Sequence, residues 1–151
     1  MSDELLKKLA HYCAYQERSH REVKTKLLEL GARGLELENI IVELISQNYL
    51  NEERFAKAFA GGKFRTKKWG KVKIIQELKK HFLSEYVIKK AMKEIPDDDY
   101  EKAIEYLIEK KMDTLKNIKN KVSKKQKVMN YLLQKGYSYQ DIQEKLTNFI
   151  S

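Results

Sequence analysis

The residues with the clearest chemical potential in this 151-residue sequence are the cations of its middle third. Between positions 63 and 80, eight basic side chains accompany a single acid, Glu77. They are Lys63, Arg65, Lys67, Lys68, Lys71, Lys73, Lys79 and Lys80. Basic clusters of this kind bind phosphate groups or an acidic protein surface. The alternative is a solvated helix face that has no partner.

The net charge of +9 is distributed unevenly along the chain. Residues 1–50 carry seven Lys/Arg against eight Asp/Glu, residues 51–95 thirteen against five, and residues 96–151 eleven against nine. A second basic stretch, from Lys110 to Lys127, contains eight lysines and one acid, Asp113. The excess charge therefore lies mostly in the middle third, where the sequence predicts a surface that contacts polyanions.

Residues for catalysis or metal binding do not occur in the required groupings. The three histidines, His11, His20 and His81, lie in separate segments without a second ligand at metal-binding spacing. The adjacent acids Asp97 to Asp99 cannot converge on one ion from a helix, so they predict a negatively charged helix start. No glycine-rich phosphate loop follows a strand, and no nucleophile has a base partner. We therefore expect no enzyme activity, no metal and no cofactor.

The cellular setting is predicted from the single cysteine and the lack of long apolar runs. Cys13 cannot form an internal disulfide, which agrees with a reducing cytoplasm, and its amphipathic segment predicts a buried thiol. No run of about eighteen apolar residues occurs, and the first four residues do not have the layout of a signal peptide. The sequence thus predicts a cytoplasmic protein that does not bind membranes.

The elements that carry these residues are predicted by an apolar pattern that recurs three times. Its first copy is Val23, Leu27, Gly31, Leu37, Ile40, Ile41 and Leu44. The second is Ile74, Leu78, Phe82, Ile88, Ala91, Met92 and Ile95, and the third is Val128, Leu132, Gly136, Ile142, Lys145, Leu146 and Phe149. Spacings of three and four place each set on helix faces. We predict an all-α fold of three tandem three-helix, helix-turn-helix-like repeats in an elongated array, with boundaries 1–50, 51–96 and 97–151.

Capping residues predict where individual helices begin and end. Ser19 with Glu22 has the spacing of a capping box, and Asn51, Ser84 and Ser138 are the other predicted N-caps. Gly31 is expected to end the second helix, and Trp69-Gly70 to precede a helix from Val72 to His81. The polar segment from Asn117 to Lys125 is expected to contain a loop. His81 is expected at the surface or as a partner of a helix dipole.

Three stretches of the sequence resemble the RecX family. The central one is LNEERFA at 50–56 with Phe59, followed by KKWG at 67–70 and by Lys73-Ile74-x-x-Glu77-Leu78. The first repeat resembles the family through Ser19, Glu22-Val23, Leu27, Gly31 and Asn48-Tyr49-Leu50, and the third through Leu132-x-x-Lys135-Gly136-Tyr137-Ser138 with Ile142. Two positions depart from the family pattern. Lys71 follows Gly70 where a proline is usual, and Phe82 replaces a usual turn glycine.

The resemblance implies a regulator of RecA in DNA repair, recombination and the SOS response. It implies a monomeric crescent of helical repeats that binds along the groove of the RecA–single-stranded-DNA filament. It further implies that the protein modulates, mainly by inhibition, the ATPase, strand-exchange and co-protease activities of RecA. Direct binding to single-stranded DNA, and also to double-stranded DNA, is a property that the resemblance adds. The alternative from composition alone is a stand-alone, non-specific nucleic-acid-binding helical module.

The candidate residues for contact with the filament or DNA are in the middle repeat. They are Lys63, Arg65, Lys67, Lys68, Trp69, Lys71 and Lys73. Trp69 has two possible roles, stacking on a base or closing the hydrophobic face behind Gly70. Arg54 belongs to the resembling motif, but a structural ion pair with Glu52 or Glu53 is its competing role.

Overall fold

The computed structural model describes residues 2–150, which form nine α-helices and no strand. The helices are α1 (Ser2–Tyr15), α2 (His20–Glu29), α3 (Gly34–Ser46), α4 (Glu52–Lys67), α5 (Lys71–Lys79), α6 (Glu85–Met92), α7 (Asp97–Asp113), α8 (Lys121–Lys135) and α9 (Tyr139–Leu146). The all-helical prediction is confirmed. Among the described residues, none of the helices combines the length and the hydrophobicity needed to span a bilayer.

The chain forms two compact units. The first unit comprises residues up to 59 together with 78–91, and the second comprises residues 60–77 together with 92 onward. Helices α4 and α5 each contribute one part to the first unit and another part to the second. This division follows packing, whereas the predicted boundaries after residues 50 and 96 follow the repeated pattern. Those repeat boundaries remain a prediction.

In the first unit, α1, α2 and α3 pack against one another. Leu9, Val23, Leu27 and Leu44 are fully buried, and each such side chain contributes about 1.5–3 kcal/mol through the hydrophobic effect. Cys13 is also buried, as predicted, and this burial raises the pKa of its thiol. A thiol with a raised pKa is protonated at neutral pH, so Cys13 packs as a small apolar residue.

The start of α2 has the predicted capping box. The Ser19 hydroxyl accepts a hydrogen bond from the Glu22 N–H, and the Glu22 carboxylate accepts one from the Ser19 N–H. His81 is partly exposed and makes a contact that was not predicted, since its Nδ1 lies 2.7 Å from the Ser19 hydroxyl oxygen. Its ring centroid is 5.1 Å from that of Phe55. The histidine therefore supports a helix start in the core, a role that its position near the end of α5 did not indicate.

In the second unit, α7, α8 and α9 pack against one another. Ile108, Val128, Leu132 and Ile142 are fully buried at their interfaces. Ser138 caps α9 by accepting a hydrogen bond from the Asp141 N–H, as predicted. Six helix positions of the middle and third copies of the pattern are confirmed as core, whereas Met92, Lys145 and Phe149 are only partly buried. Ile74, Leu78, Ile88, Val128, Leu132 and Ile142 are all buried.

Two helix ends add detail to the prediction. The segment from Asn117 to Lys125 contains a loop, as predicted, but only in its first part, because α8 already begins at Lys121 and Asn120 caps it by accepting from the Ser123 N–H. Its first turns are lysine-rich and polar, so the apolar periodicity gave no signal there. Helix α5 ends at Lys79 rather than at His81, because the chain turns through Phe82.

Phe82 occupies the turn position where the resembling family usually has glycine. Its φ of +60° lies in the left-handed region, and its side chain is 82% exposed. The Arg21 guanidinium donates to the carbonyl of Lys80 and lies 5.6 Å from the Phe82 ring centroid. The turn therefore has the left-handed backbone conformation that glycine adopts readily, although a residue with a Cβ, such as phenylalanine, disfavours it.

We expect Phe82→Gly to be more stable than Phe82→Val by about 1–2 kcal/mol, because the left-handed conformation penalises Cβ. Both variants lose the phenyl ring and its contact with Arg21. The difference between their free energies of unfolding therefore reports the cost of the left-handed backbone conformation. The measurement is urea unfolding followed by circular dichroism. Equal stability of the two variants would show that position 82 does not hold the left-handed conformation.

Candidate nucleic-acid interface

The predicted site residues lie on a continuous basic segment, residues 63–73, in the second unit. The last turns of α4 carry Lys63, Arg65 and Lys67, and α5 begins at Lys71. Between the helices, Lys68 adopts a left-handed φ of +55°, which ends α4 and redirects the chain. The segment is therefore two helix ends joined by a tight turn.

Backbone hydrogen bonds fix this turn against the end of α8. The Gly70 N–H donates to the Lys135 carbonyl at 2.8 Å, and the Val72 N–H donates to the Gly136 carbonyl at 2.9 Å. The Tyr137 hydroxyl donates to the Lys68 carbonyl at 2.8 Å. These bonds satisfy polar groups of the turn that α4 and α5 cannot pair themselves.

Two glycines allow this close approach. A Cβ on Gly70 would lie 2.4 Å from the carbonyl carbon of Gly136, which is inside the van der Waals contact distance. Gly136 itself has a φ of +102°, and a Cβ there would lie 2.3 Å from the Cβ of Lys73. The backbones can meet only because both positions lack a side chain.

Two buried tyrosines surround the same turn. The Tyr100 and Tyr137 ring centroids are 5.1 Å apart, and Phe64 lies 5.9 Å from Tyr100. Burial raises the pKa of Tyr100 to about 12, and burial also raises the pKa of Tyr137. Both phenols are neutral at physiological pH, and the Tyr137 hydroxyl can act as a donor to the turn. Neither tyrosine was predicted to belong to the site, because both are distant in sequence from residues 63–73.

Trp69 brings three of the predicted cations together. The Nζ atoms of Lys63, Lys67 and Lys73 lie 5.1, 5.7 and 4.6 Å from its ring centroid. We refer to these four residues as the lysine–tryptophan cluster. Cation–π attraction favours each contact, whereas three ammonium groups around one ring repel one another. A bound polyanion would reduce the repulsion between the three ammonium groups. The cluster is therefore suited to binding phosphate groups next to the partly exposed ring of Trp69.

The other three cations have different neighbours. Lys68 Nζ lies 5.0 Å from the ring centroid of Tyr106 on α7. Lys71 Nζ lies 4.5 Å from the Tyr100 ring and 3.8 Å from a carboxylate oxygen of Asp97. The Arg65 guanidinium packs over Gly61, one turn earlier on α4. The structure therefore gathers part of the predicted set around Trp69 and distributes the rest along the segment.

Among residues 2–150, no group of three or more His, Cys, Asp or Glu side chains is placed to hold an ion. Asp97 to Asp99 lie in the first turn of α7, where their charge is favourable for the helix dipole.

Family models match two parts of the chain. The second three-helix domain of RecX matches residues 51–92, and the third matches residues 97–146. The regulatory protein RecX of Salmonella heidelberg strain SL476 is 31% identical over 155 residues, covering 96% of this chain and 91% of the relative. The corresponding protein of Salmonella paratyphi C strain RKS4594 has the same identity and coverage. The chain belongs to the RecX family.

Solved RecX structures have the same fold. The crystal structure of RecX from Lactobacillus salivarius superposes with a TM-score of 0.86 at 23% identity, covering 97% of this chain and 95% of that one. A second crystal structure of regulatory protein RecX gives 0.85 at 20% identity, covering 97% of this chain and 71% of that one. The protein is thus an all-helical member of a family of regulatory proteins.

The departure from the RecX pattern at Lys71 has a structural counterpart. Its N–H donates to the Tyr100 hydroxyl at 2.9 Å. Proline has no N–H and could not make this bond. In this chain a hydrogen bond therefore fixes the start of α5, whereas in the usual family pattern a proline ring restricts the backbone at the same position.

Arg54 of the RecX motif has a structural role, although not with the predicted acids. Its Nε lies 2.6 Å from a Glu17 carboxylate oxygen, and its Nη2 donates to the carbonyls of Asn48 and Tyr49. The expected pairing with Glu52 or Glu53 was wrong, because Arg54 reaches back to the α1–α2 and α3–α4 connections. Asn51 caps α4 as predicted, accepting from the Arg54 N–H.

Proposed function

We propose that this protein binds the RecA–single-stranded-DNA filament and mainly inhibits its ATPase, strand-exchange and co-protease activities. The observation that carries the proposal is the lysine–tryptophan cluster in a member of the RecX family. Three ammonium groups at one ring are suited to the phosphates of an extended strand, and the ring is suited to stacking or to packing between partner side chains.

The proposed contact is directed at the nucleic-acid backbone and tolerates different sequences. In helix-turn-helix DNA readers, the last helix usually enters the major groove. Here α3, the last helix of the first predicted repeat, carries Glu36, Glu38 and Glu43 and no lysine or arginine. Phosphates would repel that helix, so the cations of residues 63–73 are the proposed contact instead.

Titrating the protein into RecA assembled on single-stranded DNA tests the proposal. We expect RecA ATP hydrolysis to fall at a ratio of one protein per RecA or below, because a groove-binding regulator acts on the assembled filament. A variant with Lys7, Lys8 and Lys24 replaced by glutamine should inhibit equally, since these exposed lysines lie outside the basic segment. Unchanged hydrolysis and unchanged filament disassembly would contradict the proposal.

The second candidate function is a stand-alone, non-specific nucleic-acid-binding module, which the cluster around Trp69 also favours. Competition separates the two. If the RecA filament is the partner, unlabelled filaments should displace the labelled protein more strongly than the same amount of free DNA. If DNA alone is the partner, free DNA should displace it at least as well as filaments do. In the second case the family relationship would not extend to regulation of RecA.

A further inference from the structure

A second basic surface lies in the second unit and is not used by the proposed filament contact. It is a cleft of about 340 Å³ between the end of α7, the 114–120 connection and α8. Side chains lining it include Lys111, Leu115, Lys127, Asn130, Tyr131 and Gln134, and none of the described lining residues is acidic. Its volume falls in the range of small-molecule sites, roughly 300–1,000 Å³.

The spacing of residues on α8 explains how the cleft is built. Lys127, Asn130, Tyr131 and Gln134 follow one another at intervals of three, one and three, which places them along one helix face. From α7, Lys111 reaches across so that its Nζ lies 5.2 Å from the Tyr131 ring centroid. Leu115 is 8% exposed and supplies an apolar wall. One aromatic ring, two amides and two ammonium groups therefore converge on one cleft.

We propose that this cleft binds one nucleotide. Tyr131 would stack on the base, and the ammonium groups of Lys111 and Lys127 would contact its phosphates. The amides of Asn130 and Gln134 would meet the base edge, because an amide both donates and accepts hydrogen bonds as base edges do. A bound base would displace the Lys111 ammonium group from the face of the Tyr131 ring, and the ammonium group would then contact the phosphate of the same nucleotide.

The proposal gives a role to Lys111 and Lys127, two lysines of the basic stretch from Lys110 to Lys127 that the filament contact does not use. The ligand chemistry is that of a nucleoside phosphate, which is present both in a single strand and in a free nucleotide. The cleft does not depend on RecA, so binding there is measurable with nucleic acid alone.

Photocrosslinking provides the first measurement. A twelve-residue thymidine strand containing 5-iodouracil is irradiated with the full-length protein, and crosslinked peptides are identified by mass spectrometry. We expect a crosslink at Tyr131, since the halogenated base reacts with an aromatic ring on which it stacks. Thymidine monophosphate in excess separates the two sources: it suppresses this crosslink if the cleft takes free nucleotides, and leaves it intact if only a strand is held.

Affinity provides the second measurement. Tyr131→Leu keeps an apolar side chain and removes the ring, and Lys127→Gln removes one cation. We expect the double variant to bind the same strand about tenfold more weakly, a loss in the range of one base–aromatic stack and one phosphate contact. The control is Lys119→Gln, which also removes one cation of the same basic stretch, at an exposed position that does not line the cleft.

Both results are required. Crosslinks at Trp69 but not at Tyr131 would overturn this inference and leave the proposed function intact. Equal affinity of the cleft variant and its control would also overturn it, provided that circular dichroism shows both to be folded. If the protein crosslinks at Tyr131 but does not inhibit RecA, that result would count against the proposed function and not against this inference.

Discussion

Replacing Lys63, Lys67 and Lys73 by glutamine is expected to weaken binding to single-stranded DNA by about tenfold or more at low salt. The three ammonium groups surround Trp69, so the substitution removes the whole charge of the lysine–tryptophan cluster and keeps its ring. Losing three phosphate contacts should also flatten the dependence of log affinity on log salt by roughly 2. The measurement is fluorescence anisotropy with a labelled thymidine strand between 50 and 200 mM salt.

The matched control replaces Lys7, Lys8 and Lys24, which are exposed residues of a nearly neutral region. The control makes the same change in net charge. A difference in affinity between the two variants therefore depends on where the lysines lie and not on the overall charge of the protein. Folding should be unaffected in both, which thermal unfolding checks. An unchanged salt slope in the cluster variant would show that the basic segment is only a solvated surface, and the assignment of these residues would be wrong.

The helical fold was predictable because its signal is local. Residues such as Val23, Leu27, Val128 and Leu132 recur at helical spacing, and all four are fully buried in the structure. Capping is local too, which is why Ser19 and the other serine caps could be assigned from one turn of sequence. The fold class therefore followed from the sequence without reference to distant contacts.

The surroundings of the candidate site were less predictable because they depend on distant contacts. The concentration of lysines indicated where a polyanion would bind, but not that three of them meet at Trp69. The hydrogen bonds from Gly70 and Val72 to the end of α8 join segments far apart in sequence. His81 shows the same limit, since its partner Ser19 lies in another helix region. Packing between distant residues has no periodic signature.

The Gly70–Gly136 contact makes a sharp prediction about stability. Gly70→Ala is expected to lower the free energy of unfolding by about 3 kcal/mol, through overpacking and weakened hydrogen bonds. The added Cβ would meet rigid backbone atoms, at 2.4 Å from the carbonyl carbon of Gly136 and 2.5 Å from the nitrogen of Tyr137. Relief requires the turn to move away from α8, and Trp69, the preceding residue, must move with it. Guanidinium unfolding followed by circular dichroism measures the loss.

Gly62→Ala is the matched control, because it adds the same methyl group in the same chain. A Cβ on Gly62 meets nothing within 4 Å, and the residue lies inside α4, where alanine is favoured over glycine by about 1 kcal/mol. The two variants should therefore move in opposite directions, Gly62→Ala becoming more stable and Gly70→Ala less. If Gly70→Ala were as stable as the unsubstituted protein, the backbones would not approach so closely. The turn would then not be held against α8, and the placement of Trp69 among the three lysines would lose its support.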